Sequence, residues 1–263
     1  MKKVLTIAGS DCSGGAGIQA DIKTITAHKM YAMSAVTALT AQNTTGVYGV
    51  YEATSEFIKL QLDCIFADIF PDAVKIGMVS NIDIIEAIAD KLKQHKAKNV
   101  VLDPVMVSTS GSKLISDGAV QALVSRLFPL ADLITPNIPE AQTLCGFEIQ
   151  SSSDTQRAAS ELSKLTNASI LIKGGHFSEN ADDLLYSDGK FVWIHGERIN
   201  NNNTHGTGCT LSSAIACNLA DGKGMRESVE NAKAYVTGAI AANLNLGKGS
   251  GPLEHTFWLD IKK

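Results

Sequence analysis

Short apolar runs alternate with longer amphipathic segments along nearly the whole chain. Val4–Ala8, Ala35–Ala41, Ala73–Ile76, Val100–Asp103, Leu133–Thr135 and Ile170–Lys173 are strand-length stretches, most of them almost wholly apolar. Strands buried on both faces of a parallel sheet have that pattern. Between them, apolar positions recur with helical spacing near 15–28, 55–68, 81–95, 116–128, 138–145, 154–166, 209–221 and 226–244,. Ser55, Asn81, Ser116 and Asp154 stand where N-caps are expected,. Asp183–Ser187 and Phe191–Ile194 flank Asp188-Gly189, a hairpin signal that places antiparallel strands at a sheet edge,. With no repeat, low-complexity tract or long linker, residues 1–263 are expected to form one α/β domain. Its central sheet would be mostly parallel, edged by antiparallel strands and covered by helices on both faces.

Composition narrows the function without fixing it. The chain has 263 residues, 44% hydrophobic and 19% charged, with a formal charge of −4, which argues against a general nucleic-acid binder. No apolar run approaches the 18 or so residues of a membrane span, and the first strand follows Met1-Lys2-Lys3 without a signal-peptide pattern,. Five scattered cysteines with no C-x-x-C pair support neither a disulfide framework nor structural zinc,, so a cytoplasmic, reducing setting is expected. Cys64 and Cys217 read as small buried hydrophobes.

The polar residues concentrate at strand ends: Asp11, Gln42, Gly77, Asp103, Asn137 and Gly174 all end or follow strands. In α/β folds ligands bind outside the carboxyl ends of the strands. Two glycine-rich turns stand out. Gly9-Ser10-Asp11-Cys12-Ser13-Gly14-Gly15-Ala16-Gly17 follows the first strand and opens a helix, but matches neither G-x-G-x-x-G nor a P-loop,. Residues 203–212 (NTHGTGCTLS) put Gly206-Thr207-Gly208-Cys209 directly before an Ala/Leu-rich helix. Such a turn is either a plain cap or a cradle of N–H groups at the positive end of a helix, where a transferring phosphate would sit.

Other positions carry comparable alternatives. Asp21, one turn into its helix, is a hydrogen-bond acceptor for a bound alcohol or amine, or a favourable charge in a first turn. Asn137-Ile138-Pro139-Glu140 is a capping box, a Mg²⁺ site working through water and phosphate, or both. Asp103 ends a buried strand, as functional carboxylate or turn residue. Lys173 neutralises nucleotide phosphate or snorkels from a strand end. His176 and His205 read as loop hydrogen-bonders, and His28, His95, His195 and His255 show no metal spacing,. Residues 42–51 form either a loop or part of a flap. Cys12–Gly15 and Val107–Lys113 are further candidates for closing loops, and Gly247–Gly251 is a loop near the nucleotide or a late linker.

The segments VLTIAGS (4–10), SGGAGIQADIKT (13–24), ALTAQNTTGV (38–47), KIGM (75–78), LDPVM (102–106), ITPNIPEA (134–141), IKGGH (172–176) and THGTGCTLSSAIA (204–216) together resemble the ribokinase-like superfamily. Within it they are most similar to the bacterial hydroxymethylpyrimidine/phosphomethylpyrimidine kinases of thiamine biosynthesis. The resemblance implies a three-layer α/β/α sandwich and ATP-dependent phosphorylation of 4-amino-5-hydroxymethyl-2-methylpyrimidine, then of its monophosphate. It further implies Mg²⁺ held through Asp103 and Glu140, and nucleotide near Lys173, Asn137 and Thr204. Substrate would meet Gly9, Asp21, Gln42, Met78 and Val105, catalysis would centre on Gly206, Thr207, Gly208 and Cys209, and the enzyme would be a homodimer.

Gln42 is the position expected to select the ring, because an amide both donates to and accepts from an aminopyrimidine edge. A related pyridoxine/pyridoxal kinase activity is the alternative, and a non-catalytic sensor or a nicotinamide-dependent oxidoreductase fits the motifs less well. Cys209 replaces the aspartate of the wider superfamily. A helix N-terminus would lower its thiol pKa and suit it to act as a base.

Overall fold

The computed structural model describes residues 1–107, 114–116, 118–174 and 181–259. The expected loop Val107–Lys113, apart from Val107, and His176 lie outside the described residues. Among the described residues nine strands form one sheet: β1 (Lys3–Asp11), β2 (Tyr31–Asn43), β3 (Gly46–Glu52), β4 (Ala73–Ile76), β5 (Val100–Leu102), β6 (Leu133–Ile134), β7 (Ser169–Ile172), β8 (Asp183–Ser187) and β9 (Lys190–Ile194). Their order is β3-β2-β1-β4-β5-β6-β7-β8-β9. Pairing is parallel from β2 across to β7 and antiparallel at both edges, β2 with β3 and β7 with β8 and β9.

Eight α-helices among the described residues cover the two faces: α1 (Gly17–Ala27), α2 (Ser55–Asp68), α3 (Ile82–His95), α4 (Ala119–Ala122), α5 (Ile138–Cys145), α6 (Ser152–Leu162), α7 (Thr207–Ala220) and α8 (Met225–Ala241). Successive residues of a strand point to opposite faces, so the sheet feeds two cores. Leu5, Val100 and Leu102 pack with α2, α3, α5 and α6, whereas Val4 and Val101 pack with α7 and α8. This is the expected α/β/α sandwich. The chain goes from β1 to β2 on one side and returns to β4 on the other, so the order reverses at β1 and opens a crevice at the carboxyl ends of β1 and β4,.

Several element boundaries differ from the sequence expectation. β3 is an antiparallel edge strand within the segment read as loop or flap, with a register shift between Ala41 and Gln42 where the pairing is renewed. Ser55 is the first residue of its helix, and the cap is Thr54, whose hydroxyl accepts from Phe57 N at 3.2 Å. Likewise Ser151 caps α6 and Asp154 is its third-position partner, with reciprocal bonds of 3.1 and 2.6 Å. Asn81 caps α3 as expected. Ser116 caps nothing through its side chain; α4 begins at Ala119 after Gly118 and passes into a π turn, Leu123–Leu127, and a 3-10 turn, Phe128–Leu130. Pro129, with no N–H to give the helical ladder, stands in the 3-10 turn that closes the segment,.

Candidate active site

The cleft is built where the two glycine-rich turns meet. Asp11, the last residue of β1, is buried and ties the first turn together. Its Oδ1 accepts from Ser13 N (2.9 Å) and Ser13 Oγ (2.7 Å), and its Oδ2 from Gly15 N (3.1 Å) and Ala16 N (2.9 Å). The same Oδ2 lies 2.8 Å from His205 Nε2 in the second turn. Burial disfavours the carboxylate, but these donors outweigh it and hold Asp11 well below its ordinary pKa,. Gly206 follows with φ 86°, and a Cβ there would stand 1.9 Å from the carbonyl oxygen of Gly15. Only glycine tolerates both the left-handed backbone and that approach.

α7 then starts with its amino end at the cleft. Thr207 N donates to Thr204 O (3.2 Å) and Thr210 N to Gly206 O (2.9 Å). The amides of Gly208 and Cys209 belong to the first turn, whose N–H groups have no partner inside a helix, and both residues line the cleft. Directly opposite is a charged cluster. Lys173 donates to Asp103 Oδ1 at 2.7 Å, and Thr135 Oγ1 donates to the same oxygen at 3.0 Å. A Cβ on Gly208 would lie 3.2 Å from Asp103 Oδ2 and 3.4 Å from Lys173 Nζ, so the helix end faces this cluster at close quarters.

Glu140 completes the cluster while also serving the expected capping box. Asn137 Oδ1 accepts from Glu140 N (2.9 Å), and Glu140 Oε2 accepts from Asn137 N (2.8 Å). Burial, reinforced by the Asp103 charge and opposed by Lys173, pushes Glu140 from 4.5 up to about 7. Burial also opposes the Lys173 charge, yet Asp103 and Glu140 outweigh it and raise its pKa. Among the described residues no three His, Cys, Asp or Glu side chains form a metal cage. Two buried carboxylates with one lysine suit a divalent ion that takes its remaining ligands from water and phosphate.

The cleft encloses about 800 Å³, and its lining includes Gln42, Gly9, Met78, Val105, Thr204, the α7 terminus, Asp183, Lys233 and Ile240. It thus brings together every site residue expected from sequence except Asp21. That side chain is fully buried behind the cleft, where its oxygens accept from Thr6 Oγ1 (2.6 Å), Ser213 Oγ (2.8 Å) and Lys75 Nζ (2.8 and 2.9 Å). Its acceptor capacity is used inside the core, and the expected substrate contact is corrected to a structural one.

For Cys209 only the expected lowering of the thiol pKa is corrected. Burial pushes its thiol above the ordinary range, and neighbouring Lys75 only partly opposes this, so the free protein holds a thiol there. Sequence reasoning missed Lys75 and the Asp11–His205 link. A lysine inside the apolar strand Ala73–Ile76 was the available signal for the first. The second spans 194 residues and left none in the sequence.

A helix amino end facing a lysine–carboxylate cluster across an α/β crevice, with a polar pocket for a small acceptor beside it, defines a small-molecule kinase of the ribokinase-like class. The phosphomethylpyrimidine kinase family model matches residues 11–254, and the chain belongs to that family. The chain is 49% identical to the thiamine biosynthesis bifunctional protein ThiED of Geobacter sulfurreducens, over 96% of its own length but 52% of that longer protein. To the hydroxymethylpyrimidine/phosphomethylpyrimidine kinase of Bacillus subtilis it is 44% identical, over 96% of this chain and 94% of that one. The crystal structure of a Bacillus subtilis pyridoxal kinase in complex with ADP superposes with a TM-score of 0.90 at 39% identity, covering 97% of this chain and 98% of the other.

Proposed function

We propose that this cleft carries two successive phosphoryl transfers, with acceptor at the Gln42 end and nucleotide toward Asp183 and Lys233. The reaction is ATP-dependent phosphorylation of hydroxymethylpyrimidine, then of phosphomethylpyrimidine, in thiamine biosynthesis. The observation that carries the assignment of roles is the placement of Gly208, in the first turn of α7, against the Asp103–Lys173 pair.

A transferring phosphoryl group gathers negative charge, and catalysis is mainly positioning and charge neutralisation. The amides of Gly208 and Cys209, with the positive end of α7, cradle that group. Lys173 leaves its pair with Asp103 in part to meet phosphate oxygens, while Asn137 and Thr204 position the nucleotide. Asp103 and Glu140 fit a magnesium ion, which when bound supplies charge neutralisation across the phosphates. Glu140 must shed its proton to serve, and its position near pH 7 makes that possible under neutral conditions.

Gly9, Met78 and Val105 flank the acceptor ring, and Gln42 reads its polar edge. In the first transfer the acceptor is an alcohol that must lose a proton; in the second it is a monoester whose second pKa of about 6 leaves it largely ionised. Cys209 matters more as a base in the first transfer, after the incoming acceptor and closure alter its surroundings, while the N–H groups of 206–209 serve both.

A homodimer and a cytoplasmic setting belong to the same reading. No helix among the described residues is long and apolar enough to cross a membrane. The 0.90 TM-score to a pyridoxal kinase supports a second, overlapping activity on pyridine alcohols, since both ring types present a hydroxymethyl group. Mass spectrometry of ATP- and Mg²⁺-dependent products, with the pyrimidine, its monophosphate, pyridoxine and pyridoxal as parallel acceptors, tests both readings. Conversion of the pyrimidine to its pyrophosphate with the highest kcat/KM is the expected result. Preference for the pyridines without a second transfer would overturn the pyrimidine reading.

A further inference from the structure

Four polar contacts at and beside Gln42 are incompatible with one another unless its amide is fixed in one orientation. Thr40 Oγ1 stands 2.9 Å from Ser10 O and 3.1 Å from Gln42 Oε1. A hydroxyl has a single hydrogen, and the Ser10 carbonyl can only accept. The Thr40 proton therefore goes to Ser10, and toward Gln42 the hydroxyl has only a lone pair to offer. At the other end of the amide, His205 Nε2 lies 2.8 Å from Asp11 Oδ2 and 3.1 Å from Gln42 Nε2. Asp11 is an acceptor already held ionised by four neighbouring N–H and O–H groups, so His205 Nε2 carries a hydrogen. It has no lone pair with which to receive an N–H from Gln42.

Oxygen against hydroxyl lone pair at one end and N–H against N–H at the other are both repulsive, and turning the amide by 180° relieves both at once. We propose that the Asp11–His205 pair and Thr40 together lock Gln42 with its carbonyl toward His205 and its NH₂ toward Thr40, making His205 a positioning residue for acceptor choice. His205 Nε2–H is then shared between Asp11 and the Gln42 oxygen, and one Gln42 N–H goes to Thr40.

An amide has two lone pairs and two N–H groups. The lock uses one of each and leaves one of each, side by side, for the cleft that Gln42 lines. A ring nitrogen beside an exocyclic amine, the edge of an aminopyrimidine, needs an N–H and a carbonyl in one fixed order. A pyridine carrying a hydroxyl can both donate and accept through the same oxygen and accommodates either order. The lock therefore favours the aminopyrimidine over the hydroxypyridine, and a freed amide loses that preference.

The inference rests on the pyrimidine reading of the site, but its first test does not. In the full-length protein, long-range ¹H–¹⁵N correlation spectra of labelled histidines, with His205 assigned by its loss in His205→Gln, should show Nε2 protonated. A bare Nε2 would overturn the lock whatever the substrate. The second test is the ratio of kcat/KM for hydroxymethylpyrimidine to that for pyridoxine. His205→Leu should lower this ratio by about tenfold or more, the usual scale for a lost polar match. His205→Gln, which returns an N–H to the same place, should keep it within about threefold of wild type.

Should His205→Leu fail to fold, Thr40→Val against Thr40→Ser reads the other end of the amide, with the ratio lowered in the first and retained in the second. An unchanged ratio in whichever folded apolar variant is measured overturns the proposal and leaves the pyrimidine reading intact. Failure of the wild type to phosphorylate the pyrimidine sinks that reading instead, with the tautomer deciding the lock on its own.

Discussion

At Cys209 and Glu140 burial favours the protonated form. Burial keeps Cys209 as a thiol in the free protein, so its service as a base depends on the bound acceptor. Cys209→Ala should slow phosphorylation of the alcohol by at least tenfold more than phosphorylation of the monoester, measured as separate single-turnover rates. Equal slowing of both would remove the base assignment.

For Glu140 the folded pKa is raised from 4.5 to about 7. Between those values the folded protein retains a proton that the unfolded chain has released, so stability falls as pH rises through the window and is level above it. Glu140→Gln should therefore make the metal-free protein more stable above pH 7, by about 1–3 kcal/mol, seen as a Tm raised by several degrees. The same variant should show a much weaker Mg²⁺ dependence of turnover. At this scale the sequence carried the chemistry well, because each motif supplies its own local geometry. Asp21 was misplaced because its true partner, Lys75, lies 54 residues away and only the fold brings the two together.

Elements carry these side chains, and small changes in their ends matter more than changes in their middles. Asn137 both caps α5 and anchors Glu140. Asn137→Ala should cost about 1 kcal/mol in chemical denaturation and also raise the Mg²⁺ concentration for half-maximal activity. Gly146→Ala, at the other end of the same helix, has positive φ but open space around it, and should cost a similar amount of stability while leaving the Mg²⁺ requirement as it was. The strands and most helices were legible because burial on one or both faces imposes a period on the sequence. The break from α4 into a π turn was not, since the apolar spacing continues through it. β3 was left open for a related reason: its residues are mostly exposed, so neither face imposes a pattern.

At the scale of the whole molecule that exposed strand has its own implication. Leu39 and Tyr51, paired across β2 and β3, are 54% and 75% exposed, and Tyr48 on the same edge strand and Phe57 and Leu60 of α2 are also exposed. An apolar surface of this kind at a sheet edge is suited to a second copy of the chain, the homodimer expected from the resemblance. Size-exclusion chromatography with light scattering should give a dimer for the wild type and a monomer for Leu39→Glu combined with Tyr51→Lys. A wild-type monomer would remove this reading.

The clasp between the two glycine turns also sets when the enzyme can first work. Asp11 and His205 are 194 residues apart, and ribosomes add roughly 5–20 residues per second. About 10–40 s of synthesis therefore separates the two halves of the cleft. During that interval the nascent chain can pair its first strands, but it has no α7 terminus to receive a phosphate and no imidazole to fix Gln42. A ribosome stalled anywhere between Asp11 and His205 thus leaves a fragment with only one of the two turns that the cleft needs.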